Sequence, residues 1–406
     1  MGKLKFLVSF LACVALTTTV RAKPGNQAQS GDPEQIFARA VSLHQAGDFE
    51  GAIREYEAFL ALKPNRADAR SNLGAALAHL GRYEDAISQY KLALAIDGHN
   101  AAVRFNLGVA FYKAARFREA AAELAQAVAE QPDSRNAILV LADCDLRMGE
   151  NKKVIDLLLP IEQAGKGDRT TAYLLGNAYL NNNEADKGQV YIDRILRDGD
   201  SAESHSMMGA AHILALEYDE AIKEFRRALE LNPALPGLQS LYGRALLLSR
   251  DRDAALAAFR SQLATDPNDF SSNLYMGMLL KQDEKYEQAL PYLQRAIVVR
   301  PGDIDGRYYL ASLYLALGRT AEGGQLLEQV IKDAPDFVEA HVSLATAYYR
   351  LKRKEEGDRE RAIVQKLNAE KQAEAPGAKE GLGPAYRGEQ MPSGTRPTKP
   401  QEKRPE

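Results

Sequence analysis

Along most of the chain, small and large apolar residues recur in a pattern that repeats every 34 residues. In the stretch SNLGAALAHLGRYEDAISQYKLALAIDG, Leu73, Leu77 and Leu80 fall on one face at helical spacing, and Ala86, Tyr90 and Ala93 mark a second, facing helix. Between them GRYEDA supplies a turn, and GDFEGA, ARFREA, LEYDEA and EKYEQA repeat its aromatic-plus-charge form elsewhere. Most units close on a proline or glycine, at Pro64, Gly98, Pro132, Pro233, Pro267, Pro301 and Pro335, which stop the second helix and turn the chain back. The pattern predicts a helix-turn-helix hairpin that cannot bury its own apolar face and therefore stacks on its neighbours.

Ten such units start near Pro33, Ala67, Ala101, Arg135, Arg169, Ala202, Pro236, Phe270, Ile304 and Val338, and only the fifth is one residue short. The eighth place reads Ala40, Gly74, Gly108, Ala142, Gly176, Gly209, Gly243, Gly277, Ala311 and Ala345, always glycine or alanine. Glycine inside a helix costs about 1 kcal/mol relative to alanine, so its recurrence predicts a place where two helix axes approach closely. The twentieth place, from Ala52 and Ala86 to Gly323 and Gly357, is small in nine units and Val154 in the fourth.

These small, aromatic and proline columns resemble the tetratricopeptide repeat family over residues 33–372. The resemblance implies an all-α fold, a right-handed α-solenoid of about ten hairpins whose first helices line a concave groove. Residues 135–201 are atypical: Asp145 stands where an aromatic or leucine is usual, and Lys166 and Asp200 stand where the closing proline is. The charged second helix of the tenth unit, RKEEGDRERAIVQKLNAEKQ, suits a cap with a polar outer face.

Outside the repeats, Lys3 and Lys5 precede an apolar run from Phe6 to Val20, and Ala22 follows as a small residue. This reads as a signal peptide over residues 1–22, with retention as an anchor the alternative, then a linker over 23–32. From residue 373 to 406 the chain is rich in Pro, Gly and charge and reads as a disordered tail. Export to a periplasmic or extracellular space is therefore expected. Loss of the leader would leave Cys144 as the single cysteine, so no internal disulfide is available. The absence of an Asn-X-Ser/Thr sequon leans toward a bacterial envelope.

With 52 basic against 55 acidic residues, the net charge of -3 gives no reason to expect nucleic-acid binding. Membrane association is expected only through a retained leader or weak contact of the tail. The chain carries no phosphate loop, H-E-x-x-H, G-x-S-x-G or C-x-x-C motif, and its histidines are scattered over distant units, so neither an enzyme nor a metal or cofactor site is expected. Cys144 occupies a column of small and apolar residues and reads as a packed side chain.

Function is expected in the groove. If the family's concave places carry over, its lining includes Phe105, Val109, Tyr112, Lys113, Leu139, Arg147, Tyr173, Asn177 and Asn181, and further along Arg244 and Tyr308. No lysine stands at the fifth place of any unit, which disfavours the family's carboxylate clamp, and an asparagine ladder stops after Asn72 and Asn106. The expected function is a non-enzymatic scaffold that binds a protein or peptide partner in the groove, in cell-envelope assembly. The alternative is an accessory subunit that positions an envelope enzyme, such as one for polysaccharide or glycan export or transfer.

Overall fold

The computed structural model describes residues 32–197 and 199–374; the leader, the linker up to residue 31 and the tail from residue 375 lie outside the described residues. Those residues form two compact units that divide between Ala178 and Tyr179. The first holds α1 (Pro33–Gln45), α2 (Phe49–Leu62), α3 (Ala67–His79), α4 (Tyr83–Ile96), α5 (Ala101–Lys113), α6 (Phe117–Glu130), α7 (Arg135–Arg147), α8 (Asn151–Gln163) and most of α9 (Arg169–Asn181). The second holds α10 (Ala185–Arg197), α11 (Ala202–Leu214), α12 (Tyr218–Leu231), α13 (Leu238–Leu248), α14 (Arg252–Thr265), α15 (Phe270–Gln282), α16 (Tyr286–Val299), α17 (Ile304–Ala316), α18 (Thr320–Asp333), α19 (Val338–Arg350) and α20 (Lys354–Glu374). All of these elements are helices.

Within each unit, a first helix packs on its hairpin partner and on the second helix of the preceding hairpin, as α3 does on α4 and α2, and α15 on α16 and α14. First helices of successive hairpins also touch, among them α3 with α5, α5 with α7, and α15 with α17. A continuous row of first helices therefore lines one side of each stack.

Every hairpin turns in the same way. The fifteenth residue adopts a left-handed backbone, whether it is glycine, as at Gly47, Gly81, Gly149 and Gly318, or not, as at Ala115, Asn183, Leu216, Arg250, Glu284 and Lys352. The next amide reaches back to the carbonyl five residues earlier, Arg82 to Leu77, Arg116 to Phe111 and Lys285 to Leu280, each at 2.9 Å. This closure satisfies carbonyls that the end of the first helix leaves open. Acidic and amide side chains cap several helix starts: Asp48, Asn100, Asp251, Asp269 and Asp303 accept from backbone amides three residues on.

The small eighth place faces the twenty-fourth across the hairpin. A methyl group on Gly108 would sit 2.6 Å from Leu124 Cγ, one on Gly209 2.7 Å from Phe225, and one on Gly277 2.5 Å from Leu293. The facing side chains Leu124, Phe225, Phe259 and Leu293 are completely buried. A glycine here gives up helix propensity and gains contact between the helices. Leu80 departs from the expected buried face: it follows α3 as its cap residue and is 38% exposed.

A second regularity lies at the fourth place of the first helix, where polar residues clasp the preceding loop. Arg70 Nε donates to the Pro64 carbonyl at 2.9 Å, Asn273 Nδ2 to that of Pro267 at 3.0 Å, and His341 Nε2 to that of Pro335 at 2.9 Å. The other end of the side chain meets the second helix nineteen residues on: Arg70 meets Gln89, Arg104 meets Glu123, His205 meets Glu224 and His341 meets Glu360. In the atypical stretch, where the closing proline is missing, ion pairs hold the loops instead. Arg135 pairs with Asp168 at 2.7 Å, and Arg227 with Asp200 at 2.7 Å.

Leu216 holds the left-handed turn conformation at φ 63° with a side chain 51% exposed. Leu216→Gly is expected to raise stability by roughly 0.5–1 kcal/mol, because relief of the left-handed strain exceeds the entropy glycine loses on folding. Urea unfolding reads this as a higher midpoint at unchanged slope; a lower midpoint would show that the leucine side chain contributes more than its backbone costs.

Candidate functional site

In the first unit, α5 and α7 bring the fifth, ninth, twelfth and thirteenth places of two successive repeats onto one side, and α9 carries the fifth and ninth places of the next. Phe105, Tyr112, Lys113, Arg147 and Tyr173 are half-buried there, whereas Val109, Leu139 and Asn177 are at most 9% exposed. Val109 and Leu139 thus act as the floor of this face. Asn177 Nδ2 donates to the Tyr173 carbonyl at 2.8 Å, which commits its amide to its own helix. Asn181, one turn further on α9 and already in the second unit, is exposed.

Tyr112, Asp143 and Arg147 form one network. The Tyr112 hydroxyl donates to Asp143 Oδ2, and Arg147 Nε donates to the same oxygen at 3.0 Å. The Arg147 guanidinium lies 5.3 Å from the Tyr112 ring centre and 5.5 Å from that of Phe117, and the two rings meet edge to face at 5.5 Å. Burial, with the Asp143 charge second, pushes the Tyr112 hydroxyl well above the usual tyrosine range. Burial and then the Arg147 charge pull Lys113 down. The aromatic Phe117 comes from the motif ARFREA, whose spacing in the sequence pointed to a turn alone.

Cys144 and Asp145 point the other way, into the packing. Cys144 is fully buried, and burial followed by the charges of Asp143 and Asp145 pushes its thiol well above the usual range. Asp145 is 6% exposed, and burial raises its carboxyl to about 6. At the start of this unit His44 and His79 stand with ring centres 6.1 Å apart and Phe49 stacked on His79 at 4.3 Å. Burial lowers both imidazoles, and for His44 the neighbouring His79 adds to it. Among the described residues, no group of three His, Cys, Asp or Glu side chains could hold a metal ion.

In the second unit, Arg244 on α13 and Tyr308 on α17 are half-buried on the corresponding side. The Tyr308 ring lies 4.9 Å from that of Phe337 and 5.5 Å from that of Tyr309. Sequence profiles described as tetratricopeptide repeat match residues 37–101, 80–137, 202–235 and 280–337. The chain belongs to the tetratricopeptide repeat family.

No curated protein matches this tetratricopeptide repeat chain. Among solved structures, it is similar to the crystal structure of the APC/C hetero-tetramer Cut9-Hcn1, at 12% identity and a TM-score of 0.50, covering 84% of this chain and 82% of the other. That likeness concerns the fold. Matches to MamA 41-end from Desulfovibrio magneticus RS-1 (20% identity, TM-score 0.38, 42% of this chain and 97% of that one) and to MamA (19%, 0.36, 41% and 96%) are partial.

Asp145 supplies a pH-dependent test of this region. Its folded-state pKa, raised from 3.8 to about 6, means that the folded chain holds a proton the unfolded one releases, so stability is lost as pH rises through that window. Asp145→Asn is therefore expected to stabilise the protein by roughly 2–3 kcal/mol at about pH 7.5, since one pKa unit is worth about 1.4 kcal/mol, with the gain vanishing at about pH 4. Thermal melts of both proteins across this range check it; a gain independent of pH would point to packing.

Proposed function

We propose that this tetratricopeptide repeat protein is a non-enzymatic scaffold that binds polypeptide along the side lined by its first helices, in an exported, cell-envelope setting. The observation that carries the reading is the half-buried aromatic side chains on the first-helix side of each unit: Phe105, Tyr112 and Tyr173 in the first, and, separately, Tyr308 in the second. Half-buried aromatic side chains and arginines such as Arg147 and Arg244 are the residue types that dominate binding energy at protein interfaces. The helices beneath hold them in place, so a partner chain bears most of the ordering cost.

A photoreactive residue at Tyr173, with a control at Lys223 on α12, tests the binding role in the native cell. Lys223 is exposed and paired with Glu220. A discrete polypeptide adduct from Tyr173 alone is expected; equal labelling from both positions, or none from Tyr173, would sink the reading.

The exported setting rests on the basic and apolar leader over residues 1–22 and on a chain with one cysteine beyond it. Intact-mass measurement of the protein from a periplasmic or secreted fraction is expected to show a chain starting at Lys23. A chain retaining residues 1–22 in the cytosolic fraction would overturn this.

A further inference from the structure

The first helix of the stack is held differently from the others. At the seventh place, where Leu73, Leu107, Leu175 and Leu344 are buried in later repeats, α1 carries the exposed Arg39, paired with Glu55 at 3.2 Å. At its carboxyl end α1 meets α2 and α3 through a cluster of rings built around two imidazoles. His44 stands edge to face with Phe49 and Tyr56 of α2, at 5.4 and 6.1 Å, and with His79 of α3 at 6.1 Å. Phe49 in turn lies flat on His79, with 4.3 Å between ring centres. His44 Nδ1 is buried and has no hydrogen-bond partner among the described residues.

We infer that this cluster is an acid-released latch: protonation of His44 and His79 frees α1 from α2 and α3 and opens the first hairpin, while the hairpins behind it stay folded. An imidazolium carries a hydrogen on both ring nitrogens, so charging His44 places a donor without an acceptor at the buried Nδ1. One imidazolium can lean on the Phe49 ring, but a second, 6.1 Å away, meets like charge. Burial and then the His79 charge lower His44, and burial lowers His79. The helix ends pull the other way, since open carbonyls favour a cation, yet they offer Nδ1 no acceptor. Other charges at this end are committed elsewhere or exposed: Asp48 accepts from the Gly51 amide, Arg82 pairs with Asp85 and Glu84 with Arg116, and Glu50 is exposed. Lys113, at the same place on α5 as His79 on α3, adds positive charge to this end. No carboxylate pairs with His44 among the described residues, whereas His205 and His341 meet Glu224 and Glu360. The folded chain therefore holds fewer protons here than the unfolded one. The stability this pair contributes is complete above the ordinary histidine value of 6.5 and is lost as pH falls through it.

Hydrogen exchange read by mass spectrometry tests this on the full-length protein at about pH 7.5 and about pH 5.5, with rates corrected for the intrinsic effect of pH on exchange. On acidification the amides of α1 and α2 are expected to lose about fivefold in protection relative to those of α3 to α6. The double variant His44→Phe, His79→Phe keeps rings in the cluster and removes the titration, so its α1 and α2 are expected to be equally protected at both pH values. No loss in the wild type, a loss shared equally by α1 to α6, or a loss that persists in the double variant would each overturn the latch. A second readout does not depend on how well phenylalanine packs. The ring-proton NMR resonances of His44 and His79, titrated in the wild type, are expected to show midpoints below 6.5; midpoints at or above that value would overturn the proposal.

Discussion

The close contact between a small eighth residue and a large twenty-fourth one sets the distance between the two helices of each hairpin. Where the eighth residue is glycine, the ring or branched side chain opposite lies closer than a methyl group would permit; a methyl on Gly277 would stand only 2.5 Å from Leu293. That distance brings the flanking apolar places of both helices into contact, and the fully buried Leu124, Phe225, Phe259 and Leu293 result from it. Glycine's lower helix propensity is offset by the packing it allows. Everything further out, including which side chains reach the row of first helices, follows from this spacing.

Two polar devices maintain the repeat around that contact. The left-handed fifteenth residue and the amide that reaches back five residues close each hairpin at the same point, even in the repeats where leucine, arginine, glutamate or lysine occupies the turn. The fourth-place clasp then ties the next first helix to the loop before it through side-chain bonds to backbone carbonyls, as Arg70 and His341 do. Where the closing proline is absent, Arg135 with Asp168 and Arg227 with Asp200 take over part of the restraint. Pairs of this kind are exposed and individually weak, whereas a proline limits the unfolded chain as well.

The side of the first unit lined by α5, α7 and α9 combines an apolar floor with a charged rim. Val109 and Leu139 are buried beneath, Phe105, Tyr112 and Tyr173 stand half-buried above, and Asp143 joins the Tyr112 hydroxyl to Arg147. A ring held between an aromatic neighbour and a guanidinium has little freedom left to lose when a partner arrives. Cys144, a buried thiol beside Asp143 in the chain, is held in its unreactive protonated form by burial.

The helical hairpins, their turns, the small-residue contact and the family were legible in the sequence, because each rests on local periodicity that ten near-copies repeat. A residue's place within its own repeat also forecast which residues would share the row of first helices. What that row does with its side chains was decided by tertiary structure. Val109 and Leu139 were expected to line a groove and lie buried as its floor, Asn177 spends its amide on its own helix, and Phe117 reaches Tyr112 and Arg147 from the first residue of α6. The fourth-place clasps were hidden as well, since arginine, asparagine and histidine share no sequence pattern and are alike only in reaching the same carbonyl. Periodicity specifies which face of a helix a residue occupies, but burial and hydrogen bonding depend on atoms brought in from residues about 20 to 35 positions away, and those distances exist only once the hairpins have stacked.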